Sequence, residues 1–266
     1  MRISPQFFRF SLALTVAAAA LVAAEPVRAQ SARQGSCSAP FDLVRLANPL
    51  TRTGQRVQLG GPLTIVAIGS SSTFGAGAST PAKSYPSRLE VELTESFPGV
   101  PVKVINRGVN GETAPEMLAR FNRDVFAENP DLVLWQVGSN SVLKNLPVEH
   151  ANTPLREGLK RLRAADTDVI LINPQYAPKV LAKPDVQRMV ELIEATAKET
   201  NVDLFRRFAL MRHWRLNEGI PFSRFVSPDE LHMNDWSYGC IARLLAVAIK
   251  DAATRATVTA TARPPR

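Results

Sequence analysis

Four short segments hold the residue types that acyl-transfer chemistry needs. Gly69-Ser70-Ser71-Ser72-Thr73-Phe74-Gly75 sets three serines between glycines at the end of an apolar run. Small residues let the chain turn sharply there and present a hydroxyl, which becomes a nucleophile if a base reaches it. The same composition also suits a loop that cradles phosphate or a flavin, although it carries neither the Lys-Ser/Thr of a Walker loop nor G-x-G-x-x-G. Gly111 stands just ahead of a helical pattern, where its N–H could serve as an oxyanion donor at a positive helix end; a plain glycine turn reads equally well. Gly138-Ser139-Asn140-Ser141 offers an amide donor or an ordinary turn. Late in the chain, Asp229 and His232 stand three residues apart. On one helical turn they would face the same way, so that Asp229 could hold one ring nitrogen and turn the other toward a hydroxyl. Of the other two histidines, His150 falls in a polar stretch and His213 in one rich in Arg and Trp, which leaves His232 as the base.

These segments need a scaffold, and the hydrophobic pattern supplies one. Largely apolar runs over residues 63–68, 102–105, 131–137, 168–172 and, more weakly, 202–205 suit strands buried on both faces, hence a parallel sheet. Helical periodicity lies between and after them, over 85–97, 113–126, 154–165, 185–200 and 236–253. This alternation predicts a three-layer α/β/α sandwich. In such a sheet a site lies beyond the carboxyl ends of the strands, which is where the first three segments fall.

The chain has 266 residues, 45% of them apolar and 21% charged, with a net charge of +8. That composition is globular and excludes a disordered, collagen-like or disulfide-dense chain. Two cysteines exclude a closed four-ligand zinc site. The basic residues are scattered, with no basic stripe and interleaved aromatics, so no nucleic acid partner is expected. Residues 1–29 read as a secretory signal peptide: Arg2 and Arg9 precede or flank an uncharged run over 11–24, and Val27-Arg28-Ala29 resembles a cleavage site. The apolar run falls short of the roughly 20 residues a membrane span needs, so no integral membrane segment is expected after cleavage. We expect an N-terminal extension over 30–60, one domain over 61–252, and a disordered tail rich in Thr, Ala, Arg and Pro over 253–266. Export places the protein in the periplasm or outside the cell. In that oxidising setting Cys37 and Cys240 pair as a disulfide or stay as two separate thiols.

Taken in order, the four segments resemble the blocks of the SGNH (GDSL-like) hydrolase family over roughly residues 63–250. The resemblance places the nucleophile at Ser71, with Ser70 and Ser72 as rivals, an oxyanion glycine at Gly111, an oxyanion asparagine at Asn140, and the acid and base at Asp229 and His232. It implies a flavodoxin-like five-stranded parallel sheet of order 2-1-3-4-5. It also implies hydrolysis of esters or thioesters, without metal or cofactor, by a Ser-His-Asp triad whose oxyanion hole is formed by Ser71, Gly111 and Asn140. The partner would be a small-molecule or carbohydrate ester, with short acyl groups such as acetyl favoured. Two positions depart from the family pattern: Ser70 and Ser141 stand where aspartates are usual. The departures admit an alternative, a non-catalytic cell-envelope binding protein on the same fold.

Overall fold

The structure, a computed structural model, describes residues 37–261 besides Met1, with side chains through residue 256. The expected signal peptide and the first residues of the expected extension lie outside the described residues.

Five strands, β1 (Leu63–Gly69), β2 (Val102–Gly108), β3 (Leu132–Gln136), β4 (Asp168–Ile172) and β5 (Asp203–Phe205), form one sheet of order β2-β1-β3-β4-β5. Every pairing is parallel. The principal helices are α1 (Thr51–Gln58), α2 (Tyr85–Ser96), α3 (Ala114–Ala119), α4 (Glu149–Ala164), α5 (Val186–Glu199), α6 (Arg207–Leu216) and α7 (Asp235–Thr261). Strand side chains alternate between two cores, as the pleat requires. Ile65, Ala67, Leu134 and Ile172 pack with Leu89 and Leu93 of α2, Trp214 of α6 and Leu245 of α7. Val66, Ile68, Val133 and Trp135 pack with Met117 of α3, Leu155 of α4 and Ile193 of α5. Burial on both faces is why the central strands β1, β3 and β4 read as largely apolar runs.

Several boundaries differ from the sequence expectation. The helix expected over 113–126 breaks at Arg120 into α3 and a single turn, Phe121–Asp124. There the Arg120 guanidinium, buried among carbonyls and carboxylates, reaches Arg107 O at 2.9 Å, Glu112 at 2.7 Å and Asp124 at 2.9 Å. The start of α3 follows its sequence: Thr113 and Glu116 form a capping box. The helix expected from 154 begins at Glu149 and contains Pro154, which forfeits a bond only to the carbonyl of exposed His150. The tail expected to be disordered from 253 is instead helical as far as Thr261, as the last turns of α7. Ala is the best helix former, and Ala252 and Ala253 are buried in the core. Part of the expected extension also belongs to the core, through Val44, Leu46 and Leu50.

Three aspartates at the amino ends of strands hold that arm beneath the sheet. Asp131 accepts from Thr64 N, Arg52 Nε and Arg56 Nε, Asp168 from Thr53 N at 2.8 Å, and Asp203 from Asn48 N at 3.0 Å. Cys37 and Cys240 are disulfide-bonded, with Cα atoms 5.3 Å apart, which ties the start of the described chain to α7. Trp214 Nε1 donates to Ser38 O beside this bond.

Candidate active site

At the carboxyl ends of the strands, β1 runs through Gly69 into a one-turn helix, Ser71–Phe74. Two glycines make this approach possible. A Cβ on Gly69 would overlap Thr73 Oγ1 and lie 2.9 Å from Gln136 Oε1, and one on Gly108 would overlap the backbone N of Phe74. The three serines separate here. Ser70 is buried, and its N–H and Oγ both donate to Gln136 Oε1 at 2.9 Å. Ser72 Oγ is buried without a hydrogen-bond partner among the described residues. Ser71 Oγ alone of the three meets His232, 2.9 Å from Nε2. As the first residue of its helix, Ser71 also has an N–H with no intrahelical acceptor.

His232 and Asp229 do not share a helical turn, as their spacing had suggested. They occupy a tight reversal closed by Ser227 N donating to His232 O at 2.8 Å and by a bridge between Val226 and Met233. Glu230 takes a left-handed φ of 59° within it. Asp229 Oδ1 accepts from the N–H of Leu231 at 3.0 Å, the N–H of His232 at 2.9 Å and the Ser227 hydroxyl at 2.7 Å, while Oδ2 lies 2.5 Å from His232 Nδ1. Burial works to raise the Asp229 carboxyl, but these hydrogen bonds, led by that of the imidazole, outweigh it and hold it well below the ordinary carboxylate range. An ionised Asp229 on Nδ1 leaves Nε2 as the acceptor facing Ser71. Gly77, with φ of 87°, lets the neighbouring loop lie against this reversal; a Cβ there would stand 2.9 Å from His232 Cβ.

Gly111 takes φ of 79° with open space where a Cβ would stand, so the backbone conformation rather than crowding calls for glycine. Asn140 lies in a short helix, Ser139–Leu143, after β3. One N–H of its amide donates to Glu112 O at 2.8 Å. That bond ties the Asn140 segment to the Gly111 segment and leaves a second N–H for an oxyanion. The two serines that replace aspartates, Ser70 and Ser141, are both buried, at 1% and 0% exposure. A neutral hydroxyl avoids burying a carboxylate at either place.

The sequence reading missed the buried layer below these groups. Gln136 receives Ser70, and Gln175 and Arg207 lie beneath the Asn140 and His232 segments. A polar residue inside or just after an apolar strand run was the available signal for both glutamines; nothing in the sequence marked Arg207. Two hollows of about 700 and 440 Å³ sit elsewhere, both lined by Asn48, Asn201 and Val202 beneath the sheet, and neither includes Ser71 or His232. Among the described residues no helix is long and apolar enough to cross a membrane.

Comparison with known proteins agrees with this architecture. The chain is similar to an arylesterase of Vibrio mimicus, 30% identical over 107 residues that make up 40% of this chain and 52% of that protein. It is similar to an acetylxylan esterase of Geobacillus stearothermophilus, 25% identical over 122 residues, 41% of this chain and 56% of that protein. The esterase TesA of Pseudomonas aeruginosa is 25% identical over 122 residues, 44% of this chain and 59% of that protein. The chain thus spans between half and three fifths of the length of these relatives. Among solved structures, a two-domain esterase active on acetylated mannans superposes with a TM-score of 0.67 at 20% identity, over 80% of this chain and 56% of that one. The Geobacillus stearothermophilus acetylxylan esterase superposes with a TM-score of 0.60 at 19% identity, over 70% of this chain and 94% of that one. These likenesses show a shared fold. The profile of the non-GDSL lipase-like family matches residues 36–255, the sheet, the three strand-end segments and the Asp229–His232 segment included, and the chain belongs to that family.

Proposed function

We propose that the protein is a serine esterase that hydrolyses carboxylic esters. The observation that carries this reading is the continuous chain from Ser71 Oγ to His232 Nε2 at 2.9 Å and from His232 Nδ1 to Asp229 Oδ2 at 2.5 Å. His232 takes the Ser71 proton as Oγ attacks the acyl carbonyl, and Asp229 stabilises the imidazolium that forms. The N–H groups of Ser71 and Gly111 and the free Asn140 N–H receive the oxyanion. His232 then protonates the departing alcohol. Water, activated by the same imidazole, releases the acid from Ser71.

For substrate, we propose short acyl groups, with acetyl esters of carbohydrates as the leading class. Two comparisons support it: one relative is named an acetylxylan esterase, and one structural neighbour is described as active on acetylated mannans. We place the protein outside the cytoplasm, in the periplasm or secreted. The Cys37–Cys240 disulfide supports this, together with the leader-like residues 1–29.

A nitrophenyl ester series from acetyl to palmitoyl tests the proposal, run on the wild type, Ser71→Ala and His232→Ala, with fluorophosphonate labelling in parallel. Wild-type turnover highest at acetyl, with the wild type labelled and both turnover and label lost in the two variants, is the expected result. Turnover that persists in both variants, or a wild type that neither turns over nor labels, would overturn it.

A further inference from the structure

We infer that Gln175 is a positioning residue for the ester reaction, joining the oxyanion segment to the base loop from beneath; this rests on the esterase reading above. Its side-chain carbonyl accepts from Ser139 Oγ at 2.8 Å and from Arg207 Nη2 at 3.1 Å, and its Nε2 donates to Leu231 O at 3.3 Å. Ser139 directly precedes Asn140, and Leu231 directly precedes His232. One buried amide, 2% exposed, therefore contacts both segments one residue away from the groups that would meet the substrate.

Arg207 decides which way that amide faces. A guanidinium only donates, so Gln175 Oε1 must point to Arg207, and Nε2 is thereby turned to the Leu231 carbonyl. Arg207 is itself fixed: it is fully buried, and its Nε donates to Asn173 O at 3.0 Å. Asn173 Oδ1 in turn accepts from Phe208 N at 2.9 Å, locking the end of β4 to the start of α6. No carboxylate among the described residues pairs with Arg207, so its partners here are carbonyl oxygens. A buried cation in that state is costly. Here it orients a side chain that spans the two segments, whose separation sets how the oxyanion donors and the imidazole meet one acyl group. A misplacement of about 1 Å at such a site costs on the order of 10²-fold in rate.

Three variants test this with nitrophenyl acetate. Gln175→Met keeps the length and removes all three contacts; we expect kcat to fall about 10- to 100-fold with KM within about threefold. Gln175→Glu keeps acceptors for Ser139 and Arg207 but sets an oxygen against Leu231 O, and its kcat should fall as well. Ser139→Ala removes a single hydroxyl and acts only through the Asn140 side. Its effect should therefore shrink severalfold in an Asn140→Ala background, whereas that of Gln175→Met should persist in part through His232. Folded Gln175→Met with kcat within twofold of wild type would overturn the inference. So would a Ser139→Ala effect that is undiminished by Asn140→Ala, and this arm decides the matter if Gln175→Met does not fold. An active wild type beside unaffected variants refutes the positioning role alone; an inactive wild type refutes the esterase reading with it.

Discussion

Asn140→Ala isolates one element of the proposed oxyanion hole. The Asn140 amide has two N–H groups, of which one is committed to Glu112 O at 2.8 Å. Truncation removes both. Loss of the second, aimed at charge that develops only in the transition state, should lower kcat by about 10²–10³, or roughly 2.7–4 kcal/mol. Loss of the first is a stability effect. It removes a part-buried hydrogen bond worth about 1 kcal/mol, and a domain of this size should then melt about 2–4 °C lower. The two effects separate by assay: steady-state hydrolysis of nitrophenyl acetate reads the first, thermal unfolding the second. KM should stay within about threefold, because a donor that acts only in the transition state leaves substrate binding alone. Asn140→Asp, with acceptors in place of both donors, should lose at least as much turnover. A folded Asn140→Ala enzyme with kcat within threefold of wild type, or one whose entire loss appears in KM, would refute the role assigned to this amide.

Three further outcomes follow from packing and charge. Gly158→Ala in α4 would set a methyl 2.6 Å from Trp135 Cζ3, and overpacking of this kind should cost about 1–3 kcal/mol in urea unfolding; an unchanged midpoint would contradict the tight helix–sheet contact. Reduction of Cys37–Cys240, which closes a loop of 203 residues, should lower stability by about 2–5 kcal/mol, read as a fall in melting temperature of Cys37→Ser matching that of the reduced wild type. Hydrogen bonds from Arg123 lead, against burial and with help from Arg120, in holding the Asp124 carboxyl well below its ordinary value. A depressed carboxylate contributes stability that is complete above its unfolded pKa, near 3.9, and is lost as pH falls through the folded one. The gap in urea midpoint between wild type and Asp124→Asn should therefore be widest at neutral pH and close below pH 4, and a gap that widens on acidification would count against this ion pair.

The sheet was the most legible part of the chain, because strands covered on both faces leave largely apolar runs that periodicity detects. Its order came from the family resemblance, since apolar runs do not say which neighbours pair. The strand-end segments could be found because each had to be small, left-handed or amide-bearing. What escaped were features set by contacts distant in sequence. Arg120 breaks a helix to reach the carbonyl of Arg107, and the partners of Gln175, Ser139 and Leu231, come from segments far away in the sequence. The reversal that carries Asp229 and His232 reads as a helical turn in the sequence because a spacing of three fits both; the Ser227–His232 bond, the left-handed Glu230 and the Val226–Met233 bridge set it apart. The tail over 253–266 reads as disorder from its Thr, Ala, Arg and Pro content, but up to Thr261 it continues α7, where Ala253 and Ala256 are buried.

The aspartates at the amino ends of β3, β4 and β5 put that fastening and the proposed catalytic groups on opposite rims of one sheet. Substitutions in the Asn48–Arg56 strap should thus alter folding yield and leave turnover per folded molecule untouched. A designer could strengthen that lower rim, or graft onto it, without a catalytic penalty.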